Sequence, residues 1–309
     1  MSRILISLAI LSLSLCVSGQ GSEKPSDLMQ RGLRSHESGN YAAAIDDFSR
    51  VIELTSSLRS TNSSDRQNFS GTTQDATQIE SIRVVDPRTA VAYINRGNTY
   101  FFMGNMDEAL QDYDRALRLS PSLAKGYMCR GSVWLIKKDY DKATADYQLA
   151  IKLDPKLAKA YLGLAMTLFE KGESKNALAQ YDEAARIAPE DPEVLHRRGD
   201  AKWAVGDLAG ANVDYERAIK LNPNYVGPYM GRGRLRYTQF DFDGAIKDLT
   251  RAIELDNRFP ECNMIRGFAL LMQRKDTEAE ADFKRAVELM PSLRSEIDAG
   301  IKKIKEIRK

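Results

Sequence analysis

Between Ala90 and Leu293 the sequence returns to one pattern every 34 residues. The segment AVAYINRGNTYFFMGNMDEALQDYDRALRLSPSL is followed by AKGYMCRGSVWLIKKDYDKATADYQLAIKLDPKL, and four further copies follow without an insertion. Glycine falls on glycine (Gly97, Gly131), alanine on alanine (Ala109, Ala143; Ala116, Ala150) and proline on proline (Pro121, Pro155). A fixed period of this length dictates a stack of like units, because one unit cannot bury its apolar face alone. Within each unit lie two segments of apolar helical period, about a dozen residues each. A small turn such as Gly104-Asn105 or Lys138-Asp139 separates them. Pro121, Pro155, Pro189, Pro223 and Pro291 cannot continue the second segment and mark the passage to the next unit. The units are therefore helix–turn–helix hairpins, and the chain is all-α.

The spacing also predicts which residues meet. Partners across an antiparallel hairpin have a nearly constant sum of positions, so Tyr93 faces Ala116, Gly97 faces Tyr113 and Tyr100 faces Ala109. Each match sets a large side chain against a small one, which suits close packing. The same arithmetic places Arg96 opposite Asp112, and the match recurs as Arg31/Asp47, Arg130/Asp146, Arg198/Asp214, Arg232/Asp248 and Arg266/Asp282. In the one remaining unit both members are absent together, with Leu164 opposite Gln180. Joint loss is what a direct ion pair predicts, since one buried charge without its partner is costly.

Tyr93, Gly97, Tyr100, Ala109, Tyr113, Ala116 and Pro121 stand at the spacing of the tetratricopeptide repeat (TPR), and the later units carry comparable sets. The chain resembles that family from Pro25 to Leu293, apart from one insertion. Asn263 and Leu249 depart from its aromatic positions and Asn257 from its proline. The resemblance implies a right-handed superhelical solenoid of seven helix–turn–helix units plus a C-terminal capping helix, with a concave groove lined by the first helices. An earlier copy occupies residues 25–58, where Gly32, Ala44 and Phe48 match Gly97, Ala109 and Tyr113, but it ends in Ser56 instead of proline. Residues 59–89 break the period with a polar run that cannot bury enough surface to fold, and read as a disordered insertion. A short ordered piece is expected at Ile79–Val85, and Asn62 and Asn68 stand in glycosylation sequons. Residues 90–293 hold the six contiguous units. Residues 294–309 place Ile297, Ile301 and Ile304 on one helical face, which suits a cap, although a basic amphipathic helix can also lie on a membrane.

Arg3, the apolar run Ile4–Val17 and the small residues Val17-Ser18-Gly19 have the three regions of a secretory signal over residues 1–19, followed by a linker at 20–24. An uncleaved anchor or lipidation at Cys16 are the alternatives, and the run is short for a transmembrane helix. Export is the expected localisation, with membrane association only through Cys16 or an uncleaved leader. Cys129 and Cys262 stand four units apart along a stack, out of reach of a disulfide. With 45 basic and 43 acidic residues the net charge is only +2, so no basic stripe for nucleic acid is expected.

A catalytic centre needs convergent acid, base and nucleophile. The chain has two histidines, His36 and His196, far apart along the stack, and shows no zinc spacing, phosphate-cradling loop or nucleophile elbow. The expectation is a non-enzyme with no cofactor and no metal. Binding has more support. At ~100° per residue the face opposite the hairpin seam carries Ile94, Asn98 and Phe101 in the first of the six units. Met128 and Leu135, then Met166 and Phe169, stand at matching places in the next two. His196 and Trp203, Arg234 and Tyr237, and finally Phe268 continue the stripe. About half of this apolar face is expected to pack between neighbouring units, and the rest suits a protein or peptide ligand. The family's two-carboxylate clamp is not expected. Asn98 and Lys159 match it, but Ile94, Cys129 and Gly163 do not. The predicted function is an exported, non-catalytic scaffold; the alternative is a membrane-tethered component of an envelope or membrane assembly.

Overall fold

The computed structural model describes the backbone of residues 23–61 and 86–308, with side chains over 23–56 and 86–308. The leader, Cys16, the sequons at Asn62 and Asn68, and the piece at Ile79–Val85 lie outside the described residues. The chain divides into two compact units, Met1–Lys137 and Lys138–Lys309, each described by itself.

The first unit contains α1 (Pro25–Glu37), α2 (Tyr41–Thr61), α3 (Pro87–Phe102), α4 (Met106–Leu119) and α5 (Ala124–Ile136). Each helix packs on the next, and α1 also touches α3, as α3 touches α5. The second unit begins with α6 (Tyr140–Leu153) and continues through α7 (Ala158–Glu170), α8 (Ser174–Ile187), α9 (Pro192–Ala204) and α10 (Leu208–Leu221). It ends with α11 (Val226–Thr238), α12 (Phe242–Leu255), α13 (Pro260–Met272), α14 (Asp276–Leu289), a 3-10 turn (Pro291–Leu293) and α15 (Arg294–Ile307). Here too the first helices α7, α9, α11 and α13 touch one another in turn as well as their own second helices. Among the described residues every element is helical.

Two boundaries differ from the repeat arithmetic. Residues 59–61 and 87–89, placed in the insertion, are helical. Helix α2 has no proline to stop it and runs for 21 residues, where α4 ends after 14, two residues before Pro121. Helix α3 starts early because Asp86 caps it, accepting the Arg88 amide at 2.9 Å, and Pro87 suits the first turn. Thr89 is thereby buried and donates to Thr55 on α2 at 2.8 Å.

Second helices start where an aspartate can take a free amide: Asp139, Asp207 and Asp241 accept from Lys142, Gly210 and Gly244. The hairpin turns need a left-handed residue, supplied by Gly39, Gly104, Gly172 and Gly206 at φ of 78°, 83°, 81° and 88°. Lys138, Phe240 and Arg274 take the same place at φ of 60°, 63° and 62°.

The seam is close. A Cβ on Gly97 would stand 2.7 Å from the Tyr113 ring, and one on Gly267 would stand 2.6 Å from Phe283. The ring of Tyr215 is gripped from both sides, by Gly199 of its own hairpin and by Gly231 of the following helix. Gly163 lies likewise against Tyr147 of the preceding helix, which accounts for glycine at that clamp position. At the departures, Leu249 fills the aromatic position under Gly233, whereas Asn263 is buried with its amide nitrogen unpartnered. Helix α15 covers the end of the second unit, with Ile297 and Ile304 buried and Ile301 packed beside them. Its stripe of Ile297, Ile301 and Ile304 is taken up in this contact, so the helix acts as a cap.

Candidate functional site

The arginine–aspartate pairs are structural. Arg96 donates from Nε and Nη2 to Asp112 at 2.7 and 2.8 Å; Arg198 to Asp214, Arg232 to Asp248 and Arg266 to Asp282 do so at 2.6–2.8 Å. Their aspartates are buried, and this bonding raises the arginines Arg96, Arg198 and Arg266 above their ordinary range. Arg31 makes the same bonds to Asp47 but is 51% exposed. Within its own unit Arg130 meets Asp114 at 2.7 Å through Nη1, and Asp146 is buried on α6.

Sequence reasoning missed a second tie. Arg96 also reaches Ser49, Arg198 reaches Asp182 and Arg266 reaches Thr250, each on the preceding second helix, as Asp114 is for Arg130. The signal was present as a polar residue at that position in every unit.

The inner face, meaning the side of each first helix turned from its hairpin seam, divides on packing. In the first unit Asn98 is half-buried and accepts the Tyr113 hydroxyl proton at 2.8 Å. Phe101 packs into the apolar cluster around Tyr113 and meets Phe102 edge to face, with Phe102 left 63% exposed. Met128 and Leu135 are half-buried on α5. In the second unit Met166 and Phe169 pack against the cluster of Leu162, Ala177 and Tyr181. Two residues placed on the groove stripe are largely enclosed by packing. Phe268 lies against Phe283 and under Gly300 of the cap, because α15 takes the place that another first helix would fill. His196 is buried, its ring seated over Gly227, where any Cβ would come within 2.3 Å.

Around His196 the structure gathers the richest polar cluster of this face. Nδ1 of His196 meets the Tyr225 hydroxyl at 2.9 Å and Nε2 meets Asp200 at 3.3 Å. Burial pushes the imidazole down to about 4, partly offset by Asp200 and reinforced by the nearby Arg197 and Arg234. The ring is therefore neutral at neutral pH. An ionised carboxylate only accepts, so Nε2 carries the proton and Nδ1 accepts from Tyr225. Asp200 also accepts from Tyr215 at 2.8 Å and Arg234 at 3.3 Å. The Arg234 guanidinium lies over the Trp203 ring at 4.2 Å. Tyr237 packs beside Phe242, at 5.9 Å between centroids, next to Phe240, which is 74% exposed. A cavity of about 680 Å3 opens here, walled by α9 and α13 and floored by α11. Among the described residues no three His, Cys, Asp or Glu side chains could hold a metal, and no helix is long and apolar enough to cross a membrane.

Four sequence models of the tetratricopeptide repeat match the chain, over residues 90–123, 135–196, 192–225 and 230–293. The chain belongs to the tetratricopeptide-repeat family. Its all-α fold is that of TPR solenoid proteins. A chain of the APC/C hetero-tetramer Cut9–Hcn1 is similar at a TM-score of 0.65 and 16% identity, over 87% of this chain and 56% of that one. PilF of Pseudomonas aeruginosa matches at 0.59 and 21% identity, over 65% and 92%. A TPR protein of Parabacteroides merdae matches at 0.58 and 15%, over 91% and 98%. At such identities the likeness extends to the fold alone. No protein of curated function matches the chain.

Proposed function

We propose that this TPR chain is an exported, non-catalytic scaffold that holds a protein or peptide segment against the inner faces of its first helices. The observation that carries the reading is variation on one stripe. Packing positions repeat along the array, whereas the place held by Asn98 is taken in turn by Ser132, Met166, Asp200, Arg234 and Phe268. A scaffold needs the first set to be uniform and only the second to differ. Half-buried Trp203, Arg234 and Tyr237 add the aromatic and arginine surface typical of strong binding residues. The test is affinity capture from the native host, comparing the wild type with Trp203→Ala/Tyr237→Ala after checking helicity by circular dichroism. Loss of one defined partner supports the reading; capture of the same partner by both proteins overturns it.

Export rests on Arg3, the apolar run Ile4–Val17 and the small residues before Gln20. Mass spectrometry of the mature N terminus decides it. A chain starting near Gln20 supports export, an acylated Cys16 supports the membrane-tethered reading, and an intact Met1 in the cytosolic fraction overturns both.

A further inference from the structure

Helix α11 is recessed between its neighbours by sequence. It carries Gly227 and Gly231 one turn apart, where α9 has Glu193 and Arg197 and α13 has Glu261 and Ile265. The rings of His196 and Tyr215 pack into the space of those missing side chains, and a cavity of about 680 Å3, a notch between longer residues, opens beside them. Its charges are unevenly satisfied. Asp200 accepts from Tyr215 and Arg234, and Asp256 is held by Arg258 at 2.7 Å. Glu261 stands in the first turn of α13, where free amides favour a carboxylate. Arg197 has no hydrogen bond or ion pair with any described residue, and its Nε is buried without a partner. Arg234 holds Asp200 only at 3.3 Å, and its Nε is buried and unpartnered too. The contrast lies within the same helices: the neighbouring Arg198 and Arg232 each hold an aspartate with two bonds. A guanidinium offers five donors and an unpaired buried donor is costly. The lining thus has unused donors from Arg197 and Arg234, alongside one carboxylate, Glu261, that makes no hydrogen bond with a described residue.

We propose that this notch is the specificity subsite of the inner face, receiving an acidic side chain of the bound peptide between Arg197 and Arg234. The inference rests on the peptide-binding reading above and adds the chemistry that one part of the ligand must carry. The recess admits the side chain, the two guanidinium groups take its carboxylate by charge-assisted hydrogen bonds, and Trp203 holds Arg234 flat against the wall. His196 fills the base of the notch as a neutral ring and adds no competing charge.

Trp203 sits against one of the two binding groups and reports on it. In the full chain with Trp134→Phe, Trp203 is the remaining tryptophan. Its fluorescence is titrated with an acetylated, amidated peptide of alanine, leucine and glutamate, and with the counterpart carrying glutamine in place of glutamate. The glutamate peptide should bind about tenfold tighter or more, a preference that falls with added salt. Arg197→Gln and Arg234→Gln should each remove most of the preference and leave glutamine-peptide affinity unchanged, with Arg197→Lys retaining part of it. Equal affinity for both peptides, lost on Tyr237→Ala, overturns the acidic subsite and leaves the peptide-binding reading intact. A preference that persists in both arginine variants, or no binding of either peptide, also overturns the subsite. Binding of both peptides that is indifferent to Tyr237→Ala sinks the inner face as well.

Discussion

At the scale of single residues, stability rests on charges that the packing would otherwise expel. Arg266 is 20% and Asp282 9% exposed, so truncating one member leaves the other desolvated. Arg266→Leu should cost about 3–5 kcal/mol in urea unfolding, and adding Asp282→Gln should restore much of it. That double variant reproduces the Leu164/Gln180 combination the chain already carries. Strict additivity of the two changes would refute the coupling. His196 gives a pH dependence of opposite origin. Its folded value near 4 lies below the ordinary 6.5, so the unfolded chain binds the proton more tightly. Its contribution is complete above pH ~6.5 and is lost as the pH falls toward 4, to an extent on the order of 3 kcal/mol. Unfolding free energies of wild type minus His196→Gln should therefore shrink between pH 7 and pH 4.5. A flat difference would mean that the folded ring titrates as the unfolded one does.

At the scale of the element, the hairpin turn sets the terms. Phe240 takes a left-handed conformation at φ 63° while 74% exposed, at a place where four other turns have glycine. For an L-residue this conformation costs about 1–2 kcal/mol, partly offset by the greater chain entropy of an unfolded glycine. Phe240→Gly should stabilise the protein by roughly 0.5–1 kcal/mol in the same denaturation assay. A loss would show that Phe240's contact with Phe242, at 6.1 Å between centroids, outweighs the backbone term. Glycine on the helices acts differently, through approach and not through φ. Gly231→Ala places a methyl 2.6 Å from the Tyr215 ring and should destabilise by about 1–3 kcal/mol.

At the scale of the molecule, a repeat array must end. In the second unit α15 substitutes for a further first helix, burying Ile297 and Ile304 against the cluster of Met264, Phe283 and Leu293. Arg308 fastens its far end by donating to the Leu271 carbonyl and to Asp276 at 3.1 and 2.8 Å. Removing residues 294–309 should speed hydrogen exchange most in α13 and α14, with increased aggregation, because each hairpin is supported mainly by its neighbours. Uniform loss of protection across the second unit would show that it unfolds as one cooperative body.

The 34-residue period by itself determined the helical hairpins, the large-against-small seam and most of the arginine–aspartate register, because these follow from spacing along rigid helices. The tie from each arginine to the preceding hairpin was not read from that arithmetic: Asp114 stands one hairpin earlier and meets Arg130 at 2.7 Å. The fate of the inner stripe was not legible from spacing either. Periodicity assigns a residue to a side of its own helix and cannot say what the next helix brings to that side. Only the tertiary structure buried His196 over Gly227, covered Phe268 with the cap and tied Arg96, Arg198 and Arg266 to a second hairpin. The notch of the second unit has the same origin: two glycines, unremarkable as packing residues in the sequence, let the His196 and Tyr215 rings close in, and the cavity opens beside them between the neighbouring helices.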